Sequence, residues 1–461
     1  MLSPFYYADF KDKVLLTNDS GNYAFLTPNA FSSFVHEEID TESEIWDMLQ
    51  SRGFCYSDSQ ESFIRRNEHL VRDANSYLLS ATSLFIFAIT NSCNNRCIYC
   101  QANGTNECSN MGIGVAEQAL LRIKDSPSRN ITIEFQGGEP LINFSAIKYI
   151  VTRAADILKH KNVQFALVSN LSLIDDDIAA FLKANNVSVS TSLDGPDYLH
   201  NYNRPLSNGQ GSYVKMLRGK EILLRHGITP GAIQTTTAKS LSLAHAIVDE
   251  YVNGGFHQIF LRPLTRLGAA ARSWDKIGYS AEEFLVFYRS ALDRIIDYNL
   301  NGYRINEYHA SLFLSKILVG KAVNYMELRS PCGAGIGQMA ITANGNVYTC
   351  DEGRMIAESG DEAFYLGNVF QNDYADWINS SCCQAICSAS LLDTLPGCCD
   401  CVFKPYCGVC PVVNYAIHGN ILHVSKERCK IYKGILQILF EYIYDGNSKI
   451  HNLFSDWGEQ A

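Results

Sequence analysis

Cys93, Cys97 and Cys100 stand in the run Thr90-Asn91-Ser92-Cys93-Asn94-Asn95-Arg96-Cys97-Ile98-Tyr99-Cys100, a C-x3-C-x2-C spacing directly after the apolar stretch Leu84 to Thr90. Three thiolates from one short loop can hold three irons of a cubic 4Fe-4S cluster, which leaves the fourth iron without a protein ligand. That vacancy is a binding site. The alternative for the same residues is a zinc knuckle lacking its fourth ligand. More thiols crowd the C-terminal third. Cys332 and Cys350 frame C-x12-G-x4-C around a hairpin-like Ala343-Asn344-Gly345-Asn346 turn, and Cys398, Cys401, Cys407, Cys410 and Cys429 follow as C-x2-C-x5-C-x2-C-x18-C. That spacing is too regular for incidental packing cysteines, although C-x2-C pairs taken alone are common zinc ligands. Cys55, Cys108 and Cys399 read as ordinary thiols.

The elements that must position these groups are legible between about residues 84 and 265. Short β-rich runs at Leu84 to Thr90, Ile131 to Phe135, Val163 to Val168, Val187 to Ser192, Ala232 to Thr236 and Ile259 to Arg262 alternate with helical patterns. That alternation predicts βα units and a parallel sheet. Between the second and third strands, Ile147, Ile150, Val151, Ala154, Ile157 and Leu158 share one helix face that can cover the sheet. Six such strands suit a partial barrel, whose ligands bind at the carboxyl ends of the strands. The first cysteine loop lies at such an end. The second strand runs into Gln136-Gly137-Gly138-Glu139-Pro140, where a glycine pair lets the backbone approach a ligand closely. Earlier, Val14 to Thr17 and Tyr23 to Leu26 read as strands around the Asn18 to Asn22 turn, with a helix from Glu42 to Gln50. Ala281 to Leu318 is helical in pattern, and a third region opens near Pro331. The expected units are 1–80, 81–280, 281–330 and 331–461.

The C-x3-C-x2-C loop, Tyr99 before its third cysteine, and the GGEP segment resemble the radical S-adenosylmethionine (SAM) enzymes. The resemblance implies that the open iron is chelated by the amino and carboxylate groups of SAM. It also implies that Gly137, Gly138 and Glu139 contact the SAM amino group, and that Ser169-Asn170 and Ser192 with Asp194 meet its methionine carboxylate and ribose. His200-x3-Arg204 with Gly209-x-Gly211-Ser212-Tyr213 is similar to a signature of peptide-modifying members, with Asn201 replacing the usual aspartate. Arg204 would pair with the SAM carboxylate or with substrate, since a planar fork suits carboxylates, or form a structural ion pair. The C-terminal cysteines resemble a SPASM domain over roughly residues 332 to 430. By that resemblance Cys332, Cys350 and Cys410 bind a first auxiliary 4Fe-4S cluster, and Cys398, Cys401, Cys407 and Cys429 a second. One departure is the two residues between Cys407 and Cys410 where the family has three. Cys382, Cys383 and Cys387 are candidates for the missing ligand of the first auxiliary cluster, which is otherwise open to substrate. The fold class expected is α/β: a partial (β/α)6 TIM-type barrel with a small N-terminal α+β domain and a cysteine-rich C-terminal SPASM domain. The N-terminal pattern resembles leader-peptide-binding domains, or else is a cap packed on the barrel.

Composition narrows the function. The chain has 461 residues, 47% hydrophobic and 19% charged, which predicts a globular protein of two or three domains. Sixteen cysteines without a recognisable signal peptide point to reduced, metal-bound thiols in the cytoplasm. The longest apolar runs fall far short of a membrane span. A net charge of −10 without a basic segment argues against nucleic acid as a partner and makes a neutral or basic peptide electrostatically easier. The family resemblance implies three 4Fe-4S clusters, SAM, a reducing electron donor and a peptide or protein substrate, with or without a leader segment. Asp351 resembles the base beside a cluster cysteine in anaerobic sulfatase-maturating enzymes. The expected activity is radical oxidation or crosslinking of a ribosomally made peptide, with the layout most similar to maturases of His-Xaa-Ser repeat peptides. The alternatives are formylglycine formation in a sulfatase and a noncatalytic zinc scaffold.

Overall fold

The protein was analysed as a computed structural model that describes residues 1–102 and 109–461; Cys108 lies outside the described residues. The chain opens with an antiparallel sheet of β1 (Tyr6–Phe10), β2 (Lys13–Thr17) and β3 (Tyr23–Leu26). The Val14 to Thr17 run is apolar without alternation because both of its faces are covered. Val14, Leu16, Ala24 and Leu26 bury against Phe34, Trp46 and Leu49 of the following helices Pro28–Val35 and Glu44–Ser51. On the other face Phe10, Tyr23 and Phe25 pack against Phe440 of the helix Lys426–Tyr444. Thr17 donates to the Val402 carbonyl at 2.6 Å and Tyr406 to the Gly21 carbonyl at 2.9 Å. These anchors tie the N-terminal sheet to the cysteine-rich region, while Phe10 and Leu15 share a buried cluster with barrel residues such as Ala232 and Leu261.

Six parallel strands follow: β4 (Leu84–Thr90), β5 (Asn130–Gly137), β6 (Asn162–Val168), β7 (Val187–Ser192), β8 (Gly231–Thr235) and β9 (Gln258–Arg262). They pair in chain order, as a partial barrel requires. Phe85, Phe87, Ile89, Ile131, Ile133, Phe135, Val187 and Val189 are buried on one face with Leu120, Ile147, Ile150 and Leu182 of the covering helices. Each such side chain contributes about 1.5–3 kcal/mol by leaving water. By the two-residue period of a strand, the alternate positions Thr132, Glu134, Gln136, Ser188, Ser190, Ser192, Thr235 and Arg262 face the concave side. The helix Phe144–Ile157 carries the apolar face read from its spacing.

The sheet does not stop at the barrel. β10 (Asn306–Glu307) adds in parallel to β9, and β11 (Gln338–Thr342) adds in parallel to the outer edge of β4, continued antiparallel by β12 (Asn346–Tyr348) and β13 (Tyr365–Asn368). Among the described residues ten strands thus form one open sheet that crosses the expected boundary at 331. The predicted single helical stretch from Ala281 is also interrupted. The helix Ala281–Leu300 ends at Gly302, whose φ of +94° suits glycine, and a second helix, Tyr308–Leu314, starts under Glu307. The Glu307 carboxylate accepts from Ala310 N, Leu261 N and Tyr288, at 2.6, 3.1 and 2.6 Å, so a strand end, a helix start and a helix flank meet on one group. No helix among the described residues is long and apolar enough to cross a membrane.

Candidate active site

The cysteine loop is clamped along its length. Arg96 N and Ile98 N donate to the carbonyls of Pro205 and Asn203, Ser207 N donates to that of Asn94, and Ala269 N donates to that of Cys100. From the barrel side, Gly138 N and Glu139 N donate to the carbonyls of Thr90 and Ser92, each at 2.8 Å. A Cβ at Gly137 or Gly138 would fall on the carbonyl oxygen of Thr90 or Ser92, far inside contact distance. The glycine pair therefore lets the end of β5 press against the cysteine loop. Cys93, Cys97 and Cys100 are half-buried, free and grouped, with Asn95 N donating to Cys93 Sγ at 3.3 Å. Burial pushes the Cys93 thiol up to about 12 and the Cys97 thiol up to about 11.

Around the loop the expected SAM contacts converge. Tyr99 donates to Asp194 at 2.7 Å and accepts from Arg204 Nη1 at 2.7 Å, so one buried hydroxyl joins an acid and a guanidinium. Desolvation raises the Asp194 carboxyl and places the Tyr99 phenol well above its usual range. Glu139 is 1% exposed, and its carboxylate accepts from Ser169 Oγ, Asn170 N and Leu141 N at 2.7, 2.8 and 3.2 Å. The side chain is spent inside the protein, tying β5 to the end of β6, which leaves the glycine-rich backbone for ligand contact. Asn170 Nδ2 donates to Asn94 Oδ1 of the cysteine loop at 2.8 Å, and Ser192 closes β7 opposite Ile233.

The His200 to Tyr213 motif is a latch beneath this site. Asp194 N donates to His200 Nδ1 at 3.4 Å, which fixes His200 Nε2 as the donor to Ser212 Oγ at 3.1 Å. Ser212 in turn donates to the Arg204 carbonyl at 2.5 Å. Burial lowers His200 to about 3 and keeps it neutral. Asn201 Oδ1 accepts from Tyr213 N at 2.9 Å, a bond aspartate also makes, so the replacement preserves the latch.

The C-terminal thiols fall into two groups. Cys332, Cys350 and Cys410 share one buried cluster, with Gly353 N donating to Cys350 Sγ at 3.3 Å. Cys398, Cys401, Cys407 and Cys429 ring a cavity of about 30 Å³, which Cys410 also borders. Cys382, Cys383 and Cys387 form a separate set on the helix Ser381–Ala389, where the Cys383 and Cys387 thiols hydrogen-bond each other. All fifteen described cysteines are free. Among the described residues no three His, Cys, Asp or Glu side chains converge on the position of a single metal ion. The thiols nonetheless suit iron-sulfur groups chemically: they are unpaired, grouped, and met by backbone N–H donors.

Asp351, directly after Cys350, accepts from Arg354 Nε and Nη2 at 2.8 and 2.6 Å, both on Oδ1. A buried charge network that the sequence reading missed lies nearby. Arg262 Nη2 stands 3.5 Å from Glu352 and 4.0 Å from Glu327, and Glu327 accepts from Arg428 Nη2 and Tyr432 at 2.6 and 2.9 Å. Although deep in the fold, Arg262 keeps 32% of its side chain accessible. Glu134 on the same concave face is pushed up by burial. Glu134 stands within the apolar strand β5, and Arg262 is the last residue of β9. A cleft of about 690 Å³ carries Arg266, Lys426 and Arg428 against Asp275 and Glu427, so local charge departs from the overall −10.

Residues 87–240 match the radical SAM superfamily. An uncharacterized protein of Methanocaldococcus jannaschii is 34% identical over 174 residues, 38% of this chain and 60% of that one. A cysteine-type anaerobic sulfatase-maturating enzyme of Clostridium perfringens is 26% identical over 58% of this chain and 74% of its own. The radical SAM cyclopropyl synthase TigE of Paramaledivibacter caminithermalis is 24% identical over 90% of this chain and 85% of its own. Among solved structures, the sulfatase-maturating enzyme anSMEcpe with bound AdoMet and the Cp18Cys peptide superposes with a TM-score of 0.68 at 21% identity, covering 79% of this chain and 98% of that one. Streptococcus suis SuiB bound to precursor peptide SuiA superposes with a TM-score of 0.56 at 15% identity, covering 93% and 99%.

Proposed function

We propose that this chain, whose residues 87–240 match the radical SAM superfamily, is a maturase that removes hydrogen from a carbon of a residue within a ribosomally made peptide or protein. The observation that carries this reading is the clamped loop presenting Cys93, Cys97 and Cys100 at the end of β4, beside the hydrogen-bonded set of Tyr99, Asp194 and Arg204. Its cofactors are a 4Fe-4S cluster and SAM, which when bound supply a 5′-deoxyadenosyl radical able to abstract hydrogen from unactivated carbon. Cys93, Cys97 and Cys100 would hold that cluster, and the two C-terminal groups would hold auxiliary ones.

The chain's own residues do the rest. Gly137 and Gly138 offer backbone to SAM, while Tyr99, Asp194 and Arg204 form a preorganised wall whose polar atoms are already oriented. Arg262 and Glu134, on the concave face of the sheet, orient the substrate segment. Asp351 is the proton acceptor: Arg354 occupies Oδ1 and leaves Oδ2 for the proton lost when substrate is oxidised. The peptide complexes of two structural neighbours support a peptide substrate. The N-terminal unit, roughly residues 1–80, would bind a leader segment, since its outer strands β1 and β3 have unpaired edges among the described residues. The remaining units are a barrel core, 81–280, a connector, 281–330, and a cluster-bearing region, 331–461. The electron source is a reducing donor, and grouped reduced thiols suit the cytoplasm.

High-resolution mass spectrometry of short peptides encoded beside the gene, co-expressed with wild type and with Cys97→Ala, tests the reading. A loss of about two hydrogens with wild type alone is expected. Unchanged peptides overturn the peptide reading and favour the second one, formylglycine formation in a sulfatase, which the similarity to sulfatase-maturating enzymes supports. In that case a cysteine-containing sulfatase peptide is converted by wild type and not by Asp351→Asn.

A further inference from the structure

The two C-terminal thiol groups sit in unlike electrostatic surroundings. Beside Cys332, Cys350 and Cys410 the charged neighbours are Glu327 and Glu352, with Arg329 and Arg428 on the same thiols and Arg262 bridging the two acids. Charges there largely cancel. Around the second group every charged residue lining the cavity is a cation, Lys404, Arg428 and Lys433, and Arg428 is paired with Glu327. Lys433 lies one helical turn beyond Cys429 and lines the same cavity as Cys398, Cys401 and Cys407. Lys316 approaches Cys407 from the π-helical turn Ser315–Val319, with Nζ donating to the Leu328 carbonyl at 2.9 Å. Lys404 borders the cavity as well, but its charge is answered by Asp19 and Asp393.

A positive charge held against a cluster stabilises the state carrying one more electron, and cluster potentials follow net charge and hydrogen bonds to the sulfurs. We propose that Lys433, assisted by Lys316, holds the second auxiliary cluster at a higher reduction potential than the first, which gives electrons one direction through the chain. The inference rests on the reading above that both thiol groups carry 4Fe-4S clusters. In each transfer the first auxiliary cluster is oxidised by one electron and the second reduced by one, with no bond or proton changed. Only Gly408 and Val409 separate Cys407 of one group from Cys410 of the other, so the path is short. It ends near the surface, where Cys399 is exposed.

The test is an EPR-monitored potentiometric titration of the full chain reconstituted with iron and sulfide. A Cys93→Ala, Cys97→Ala, Cys100→Ala background leaves only the auxiliary clusters. Two one-electron midpoints are expected. Lys433→Gln should lower the higher one by at least about tenfold in the reduction equilibrium, about 59 mV for one electron. Lys433→Arg should restore it, Lys316→Met should move it the same way, and the lower midpoint should stay in place. Two clusters whose higher midpoint ignores both lysines overturn this inference alone. A background protein that takes up zinc or no iron overturns the cluster reading beneath it as well.

Discussion

Glu139 answers three donors with one carboxylate, and each of those donors is buried at the joint between β5, β6 and the cysteine loop. Glu139→Ala strands them. At about 1–3 kcal/mol for a buried group left unpaired, the expected loss is about 3 kcal/mol of unfolding free energy by urea titration of the unloaded protein. Gly138→Ala should act differently. A methyl driven into the Ser92 carbonyl displaces the loop that carries Cys93, so the reconstituted variant should hold about eight irons per chain where wild type holds about twelve. Twelve irons in the variant would show that the loop tolerates the shift. At this scale the sequence was informative about which residues matter and less so about why. Gly137, Gly138 and Glu139 were legible as a ligand-binding segment, but spacing alone says nothing of the backbone contact between two strand ends, or of a carboxylate consumed by Ser169 and Asn170. Arg262 escaped notice because a single charge at a strand end has no periodic signature.

The strands of the barrel were read within a residue or two because their buried faces make short, β-branched runs, a local property. Elements fixed by distant partners were harder to read. The stretch from Ala281 breaks where Glu307 collects donors from β9 and two helices, contacts between 19 and 46 residues away or only a turn ahead. β1 and the helix Gln60–Ala74, which has no buried residue, likewise lacked a pattern strong enough to read. The latch formed by His200, Ser212 and the Arg204 carbonyl gives this scale its prediction. Burial holds His200 near 3, while the unfolded chain protonates it below about 6.5, so the unfolded state binds more protons and stability falls as pH drops between those values. The slope for this residue is about 1.4 kcal/mol per pH unit. Melting temperatures of the unloaded protein at pH 7.5 and 5.5 should differ more for wild type than for His200→Gln; equal differences would show that His200 contributes no such linkage.

Across the whole molecule the cysteine sets lie far apart in sequence, the first on a barrel loop and the others on the C-terminal segment. The barrel sheet itself joins them: β11 lies in parallel register along β4, Gln338 opposite Leu84 through Thr342 opposite Ala88. The N-terminal sheet, in turn, leans on the helix Lys426–Tyr444, so the two ends of the chain support each other. That arrangement bears on how the protein can be cut or recombined. Ending the chain near residue 330 removes a neighbouring strand and uncovers the backbone of β4, a flat apolar edge of the kind that recruits other chains. Such a fragment should precipitate on expression, and grafting the cysteine-rich segment of a relative onto this barrel should succeed only when the graft brings a strand in register with β4. The register between β11 and β4 is therefore the joint that any exchange of the cysteine-rich segment has to preserve.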